Sequence, residues 1–162
     1  MAAVAAAAVA AVAVATAGKF NRQPMTTSTT RSIADLLVAT TQGDLPAIKR
    51  HLKAGVDINA ETATGGSVLH AAALGTASSV VGFLIEQGAA VDHQDKFGKT
   101  PLHCAARQGN AQVVRLLIKK GANINAKAKN GSLPLDWAIK FDRDAIATIL
   151  TEHGAETGRA LR

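Results

Sequence analysis

Tyrosine is absent from the chain, Trp137 is its only tryptophan, and four phenylalanines complete an aromatic content of 3%, although 48% of the 162 residues are hydrophobic. The core must therefore be built from aliphatic side chains packed on a fine grain. Cysteine is almost missing as well: Cys104 stands alone, which excludes an intramolecular disulfide framework and favours a reducing compartment. No glycine-rich phosphate loop and no Cys/His spacing of a metal site occurs, so neither a cofactor nor a metal is expected. Acids are missing from the first 34 residues, where Lys19, Arg22 and Arg31 supply positive charge; from Ser32 onward 15 bases face 12 acids. The net charge of +6 overstates the basicity of the folded part and does not by itself argue for nucleic acid. The length suits one domain.

A membrane-length apolar run is lacking too. Residues 2–18 are almost entirely Ala and Val, but that is shorter than the roughly 20 residues of a span, and alanine is only weakly apolar. Three readings fit residues 1–31. One is a disordered Ala/Ser/Thr-rich leader, with Met25 as an alternative start. A second is a transit peptide, because acids are absent and Ser and Thr crowd positions 26–32, and it is nearer the chloroplast than the mitochondrial type because the arginines come late. A third is a secretory signal cleaved near Ala15-Thr16-Ala17, against which stands an n-region without Lys or Arg. A leader leaves the protein cytoplasmic or nuclear; a transit peptide sends it to an organelle.

What the chain does have is a beat. Thr100-Pro101-Leu102-His103-Cys104-Ala105-Ala106 reads as a helix start. Thr100 is a good N-cap, Pro101 falls where its missing N–H costs nothing, and His103 can reach back to the cap. Leu102, Ala105 and Ala106 form one apolar, small-residue stripe. The same writing recurs 33 residues earlier as Ser67-Val68-Leu69-His70-Ala71-Ala72-Ala73, and 33 later as Leu133-Pro134-Leu135-Asp136-Trp137-Ala138-Ile139. Gly55, Gly88, Gly121 and Gly154 keep that spacing, as do Gly65, Gly98 and Gly131.

This period and core motif resemble the ankyrin-repeat family over about residues 32–157. The resemblance implies an all-α repeat solenoid of stacked helix-turn-helix repeats with projecting hairpin-like loops, in four repeats at about 32–64, 65–97, 98–130 and 131–157. The first is expected to open at Ser32, capped there with Asp35 at capping-box spacing, and to serve as an N-terminal cap because Arg50 and His51 replace apolar residues. In the second, Thr76 stands where the third has Gly109, so its inter-helix turn should differ. In the third, Gly109 should end the first helix in a left-handed conformation and Asn110 should cap the second. In the fourth, Leu133 and Asp136 break the motif, which leaves Ser132 as the expected cap. Residues 158–162 are expected to fray.

Catalysis is not expected. His103 and Cys104 are neighbours on a helix, so their side chains point roughly 100° apart and cannot act as a base–nucleophile pair. His70 and His103 belong to successive helices roughly 8–10 Å apart and point back to their own helix starts, as capping residues and not as ligands of one metal. Asn130-Gly131-Ser132 matches a glycosylation acceptor but reads better as a turn. Asn59, in Val56-Asp57-Ile58-Asn59-Ala60, resembles the sites that asparaginyl hydroxylases modify in such repeats; an Asn stabilising its own loop is the plainer reading.

In ankyrin proteins the contact positions flank the turn glycine and follow the paired alanines. Carried over, the second repeat contributes Ala63, Thr64, Gly66, Leu74 and Gly75, and the third Lys96, Phe97, Lys99, Arg107 and Gln108. The fourth contributes Lys129, Asn130, Ser132, Lys140 and Phe141. Five of these are basic, none is acidic, and Leu74, Phe97 and Phe141 are apolar. The expected function is a non-catalytic adaptor, monomeric on its own, that binds a protein segment with acidic residues around apolar anchors, and neither nucleic acid nor membrane. The alternatives are an accessory subunit of a larger complex and an inhibitor resembling the four-repeat cyclin-dependent kinase inhibitors.

Overall fold

Five of the eight helices among the described residues start on a side-chain cap, and the repeat spacing stacks the helices into register. The computed structural model describes residues 26–158. Among them are eight helices and no strand. They run in pairs: α1 (Thr26–Gln42) with α2 (Leu45–Lys53), α3 (Val68–Leu74) with α4 (Ser78–Glu86), α5 (Pro101–Gln108) with α6 (Ala111–Lys119), and α7 (Pro134–Lys140) with α8 (Asp144–Glu152). The first helices α1, α3, α5 and α7 pack on one another in that order, and α4, α6 and α8 form a second layer. No described helix is long and apolar enough to cross a membrane.

The first helix starts earlier than the capping signal suggests. It is helical from Thr26, and Ser32 lies inside the helix instead of capping it. Between Pro24 and Gly43 the sequence offers neither proline nor glycine, and nothing there forces a stop. Gly43 then turns the chain at φ 75°, and Asp44 Oδ1 accepts the Ala47 N–H at 3.0 Å to open α2. The readings of residues 1–25, as leader, transit peptide or signal, lie outside the described residues.

The core follows the beat. Leu36, Leu69, Leu102 and Leu135 occupy equivalent slots 33 residues apart and are all buried. Ala72, Ala105 and Ala138 bring the first helices close enough for these leucines to interdigitate, as small residues at a helix contact allow. Val80, Val81 and Leu84 of α4, Val113, Val114 and Leu117 of α6, and Ile146, Ile149 and Leu150 of α8 close the stack from the second layer. No described phenylalanine or tryptophan belongs to the fully buried set.

Hairpin loops join the repeats. Each is pinned at its tip by a backbone bond: Thr62 N to Gly66 O, Asp95 N to Lys99 O, and Ala128 N to Ser132 O, all 2.9 Å. Successive tips are tied to one another, with Lys96 N donating to Thr64 O at 3.0 Å and Lys129 N to Phe97 O at 2.9 Å. Gly98 shows why this register needs glycine. Its φ is 73°, and a Cβ there would meet Lys129 N at 2.8 Å.

Two helix ends match their sequence signals. Gly109 is left-handed at φ 86°, and Asn110 Oδ1 accepts the N–H groups of Gln112 and Val113. The equivalent turn in the second repeat does differ, with Gly75 extended at ψ 177°. The fourth repeat corrects the sequence reading. Ser132 does not cap α7; Leu133 sits at the cap position, and the Asp136 carboxylate accepts the Leu133 N–H at 2.7 Å. A carboxylate is the stronger acceptor and its reach suits the third helical position. The start of the tail is likewise held: Glu156 N donates to Asn125 Oδ1 at 2.8 Å and Gly158 N to Asp136 Oδ2 at 2.9 Å. Gly158 is therefore tied, while residues 159–162 lie outside the described residues.

Candidate functional site

His70 and His103 each tie a helix start to the hairpin of the next repeat. His70 Nδ1 accepts the Ser67 N–H at 3.2 Å, and the Ser67 hydroxyl lies 3.0 Å from the same nitrogen. With Nδ1 accepting, the proton resides on Nε2, which donates to the Lys99 carbonyl of the next hairpin at 2.9 Å. His103 repeats the arrangement, with Thr100 N at 3.1 Å, the Thr100 hydroxyl at 3.0 Å and Ser132 O at 3.3 Å. Burial lowers the pKa of both rings below the ordinary histidine value, only partly opposed by the carbonyl bonds and by Asp95. Neutral rings suit these bonds, because a proton on Nδ1 would face a backbone N–H. His93 adds a link that the sequence did not announce: Nε2 donates to Gly65 O at 2.9 Å.

The residue after each slot of this kind faces the groove. Those residues are Ala71, Cys104 and Trp137, 33 apart, and all three line a cavity of about 380 Å³ between the hairpin tips and the first helices. Of the expected contact residues, Thr64, Gly66, Leu74, Lys99, Arg107 and Gln108 share this cavity. Lys96, Phe97 and Lys129 lie outside it on the exposed hairpin tips. Lys140 lines a second cavity of about 400 Å³ with Trp137, Ile139 and Gly158.

Cations and aromatics meet along this surface. Lys99 Nζ lies 4.7 Å from the Phe97 ring centre and 5.2 Å from that of Trp137. The Arg107 guanidinium lies 5.2 Å from the Phe141 ring, and Lys140 Nζ 5.8 Å from the same ring. Trp137 and Phe141 are themselves 5.9 Å apart. Such cation–ring contacts are each worth about 0.5–1 kcal/mol when exposed, so they arrange the side chains without locking them. Phe97 nevertheless remains 54% exposed.

Two features add to the expected charge pattern. The groove is not free of acid, because Asp95 lines the cavity. Its Oδ1 accepts the N–H groups of Phe97 and Lys99, both at 2.8 Å. An Asp that shapes its own hairpin is thereby carried to the groove wall, which position-by-position counting misses. Nor is basic charge confined to this face: Lys49, Arg50 and Lys53 on α2, Arg115 and Lys119 on α6, and Lys120 just after it are exposed on the outer side.

Trp137 lines both cavities and does not belong to the expected contact set. The available signal was its uniqueness, together with its register to Cys104.

The remaining candidates are partly buried or hydrogen-bonded where they stand. Cys104 is half-covered in the cavity and burial pushes its thiol up to about 12, so it stays a neutral thiol near pH 7. Asn59 spans to the next loop, with Nδ2 donating to Gly88 O at 3.2 Å and Oδ1 accepting the Ala90 N–H at 2.9 Å. Asn130 Oδ1 accepts from Ser132 N at 3.1 Å and Ser132 Oγ at 2.6 Å, as a turn residue does. Among the described residues no three His, Cys, Asp or Glu side chains are grouped to hold a metal.

The family model described as "Ankyrin repeats (3 copies)" matches residues 36–128 and, one repeat further on, residues 69–160. No curated protein matches the chain. Ankyrin repeats are generally protein–protein interaction modules and are typically non-catalytic. With its four stacked helix pairs, its 33-residue register and these two overlapping matches, the chain belongs to the ankyrin-repeat family.

Proposed function

We propose that this protein is a non-catalytic adaptor that takes an acidic, apolar-anchored segment of another protein into the groove between its hairpin tips and first helices. The observation that carries the reading is the cavity wall itself, where Lys99 and Arg107 stand beside Trp137 and Leu74. Neither cation has a carboxylate within ion-pair distance among the described residues. Unpaired cations next to apolar surface suit a partner that brings carboxylates around an apolar side chain. The free chain is a monomer in this reading.

Photo-crosslinking in native cells tests it. A photoreactive residue placed at Gln108 should capture the partner through an acidic stretch, and one placed at Arg115 on the outer face of α6 should not. Capture from position 115 alone would move the binding face to the outer helices, whose cations are the competing surface.

A further inference from the structure

Lys99 occupies a position that no other cation of the groove shares. Its ammonium lies over two rings of different repeats, Phe97 on its own hairpin and Trp137 on α7. It also lines the cavity, while no carboxylate pairs with it among the described residues. Asp95, the nearest acid in sequence, directs Oδ1 to backbone N–H groups instead. The Lys99 backbone is separately fixed, its N–H by Asp95 and its carbonyl by His70. Only the flexible stem and ammonium are therefore left to move.

From this geometry, and resting on the groove reading above, we infer that Lys99 is a gate that makes apolar recognition conditional on an acid. In the free protein the ammonium covers one face each of Phe97 and Trp137. A carboxylate entering the groove attracts it more strongly than a ring face does, because a charge-assisted hydrogen bond exceeds an exposed cation–ring contact. The ammonium swings to the carboxylate, and the two bared faces accept the neighbouring apolar side chain of the same segment. The ligand class is a peptide segment with a Glu or Asp beside a leucine-like residue. Leucine-like segments without the acid are refused, since they would bury the ammonium unpaired. The acid thus selects, and the apolar residue holds.

Trp137, the only tryptophan, reports on this directly. In the first arm no partner is needed: iodide and caesium quench Trp137 emission in the wild type and in Lys99→Met, which keeps the stem and removes the charge. Iodide should outdo caesium by about twofold or more in the wild type, because a local positive field concentrates anions. Most of that preference should vanish in Lys99→Met, and an equal preference in both proteins overturns the gate. In the second arm a short Gly/Ser peptide carrying Glu-Leu-Glu is titrated against both proteins, beside its Gln-Leu-Gln counterpart. The wild type should favour the Glu peptide by about tenfold, equivalent to about 1.4 kcal/mol. Lys99→Met should bind the two alike, and should bind the Gln peptide more tightly than the wild type does. If the Glu peptide keeps its full advantage on Lys99→Met, the gate is wrong while the groove reading stands. If neither peptide binds either protein, the groove reading falls and the gate with it. Equal melting temperatures of the two proteins establish that the variant is folded.

Discussion

The Nε2–H of His70 on α3 donates to the carbonyl of Lys99, 29 residues away in the next hairpin, at 2.9 Å. A ring that begins one helix therefore also fixes the loop of the following repeat, and local capping and long-range stacking share one side chain. Protonation of the ring sets Nδ1–H against the Ser67 N–H and disrupts both roles.

Acid should therefore destabilise the protein through His70 and His103. Their pKa values are lowered by burial, so below about pH 6.5 the unfolded chain binds protons that the folded chain does not. The histidine contribution is intact above about pH 6.5 and is lost as pH falls through and below that value. Thermal melts at pH 7 and pH 5 should show a clear drop for the wild type. In the double variant His70→Gln/His103→Gln the drop should shrink, because glutamine caps as well but does not titrate there. Equal drops in the two proteins would assign the acid sensitivity to carboxylates instead.

Leu102 is fully buried at the middle of the leucine column. Leu102→Ala should cost about 2–5 kcal/mol of unfolding free energy in a denaturant titration. Since neighbouring repeats share that interface, the whole stack should unfold in one transition. A separate early transition would show that the repeats melt singly.

Two glycines with similar backbones separate strain from crowding. Gly98 and Gly121 have φ of 73° and 89°, but a Cβ at Gly98 meets Lys129 N at 2.8 Å, whereas nothing lies within 4 Å of one at Gly121. Gly121→Ala should cost about 1–2 kcal/mol, the left-handed penalty alone. Gly98→Ala should cost measurably more and should disorder the tip that carries Phe97 and Lys99. Hydrogen exchange at the Lys129 N–H checks the second effect: faster exchange is expected in Gly98→Ala only.

Phe97 can be removed without harm to the fold, since it is 54% exposed. Once a partner is in hand, Phe97→Ala should weaken binding by about 2 kcal/mol or more, chiefly through faster dissociation. Changing Lys96 and Lys129 together to Glu should slow association and reverse its salt dependence. The same reversal at Lys119 and Lys120, on the outer surface, should leave affinity unchanged. Surface plasmon resonance across a salt series distinguishes these outcomes, and a larger effect at the outer pair would contradict the groove assignment.

The repeating elements were legible because each is written locally and then repeated. Leu69, Leu102 and Leu135 announce the core, and the histidine three residues after Ser67 or Thr100 announces a cap. Helix α1 was misplaced because Ser32 carries a good capping signal, yet no helix breaker stands between it and Thr26. Ser132 was misread because a carboxylate at the third helical position overrides a hydroxyl before the cap. The groove was half legible. Leu74, Lys99, Arg107 and Gln108 follow from register alone, but Asp95 and Trp137 reach the same cavity from a hairpin and from the next repeat. Contacts between units of a solenoid leave no trace in the periodicity of any one unit.

In the second and third repeats the stack has a chemical polarity, since His70 and His103 each offer a proton to the loop that follows. At Asp136 that polarity reverses: the slot holds a carboxylate, which takes an N–H from Gly158. A further loop arriving in the same register would bring its carbonyl oxygen against this carboxylate, acceptor against acceptor. The fourth repeat thus behaves as a chain terminator in the polymer sense. Duplicating the third repeat should extend the solenoid, and duplicating the fourth should not unless Asp136→His restores the donor.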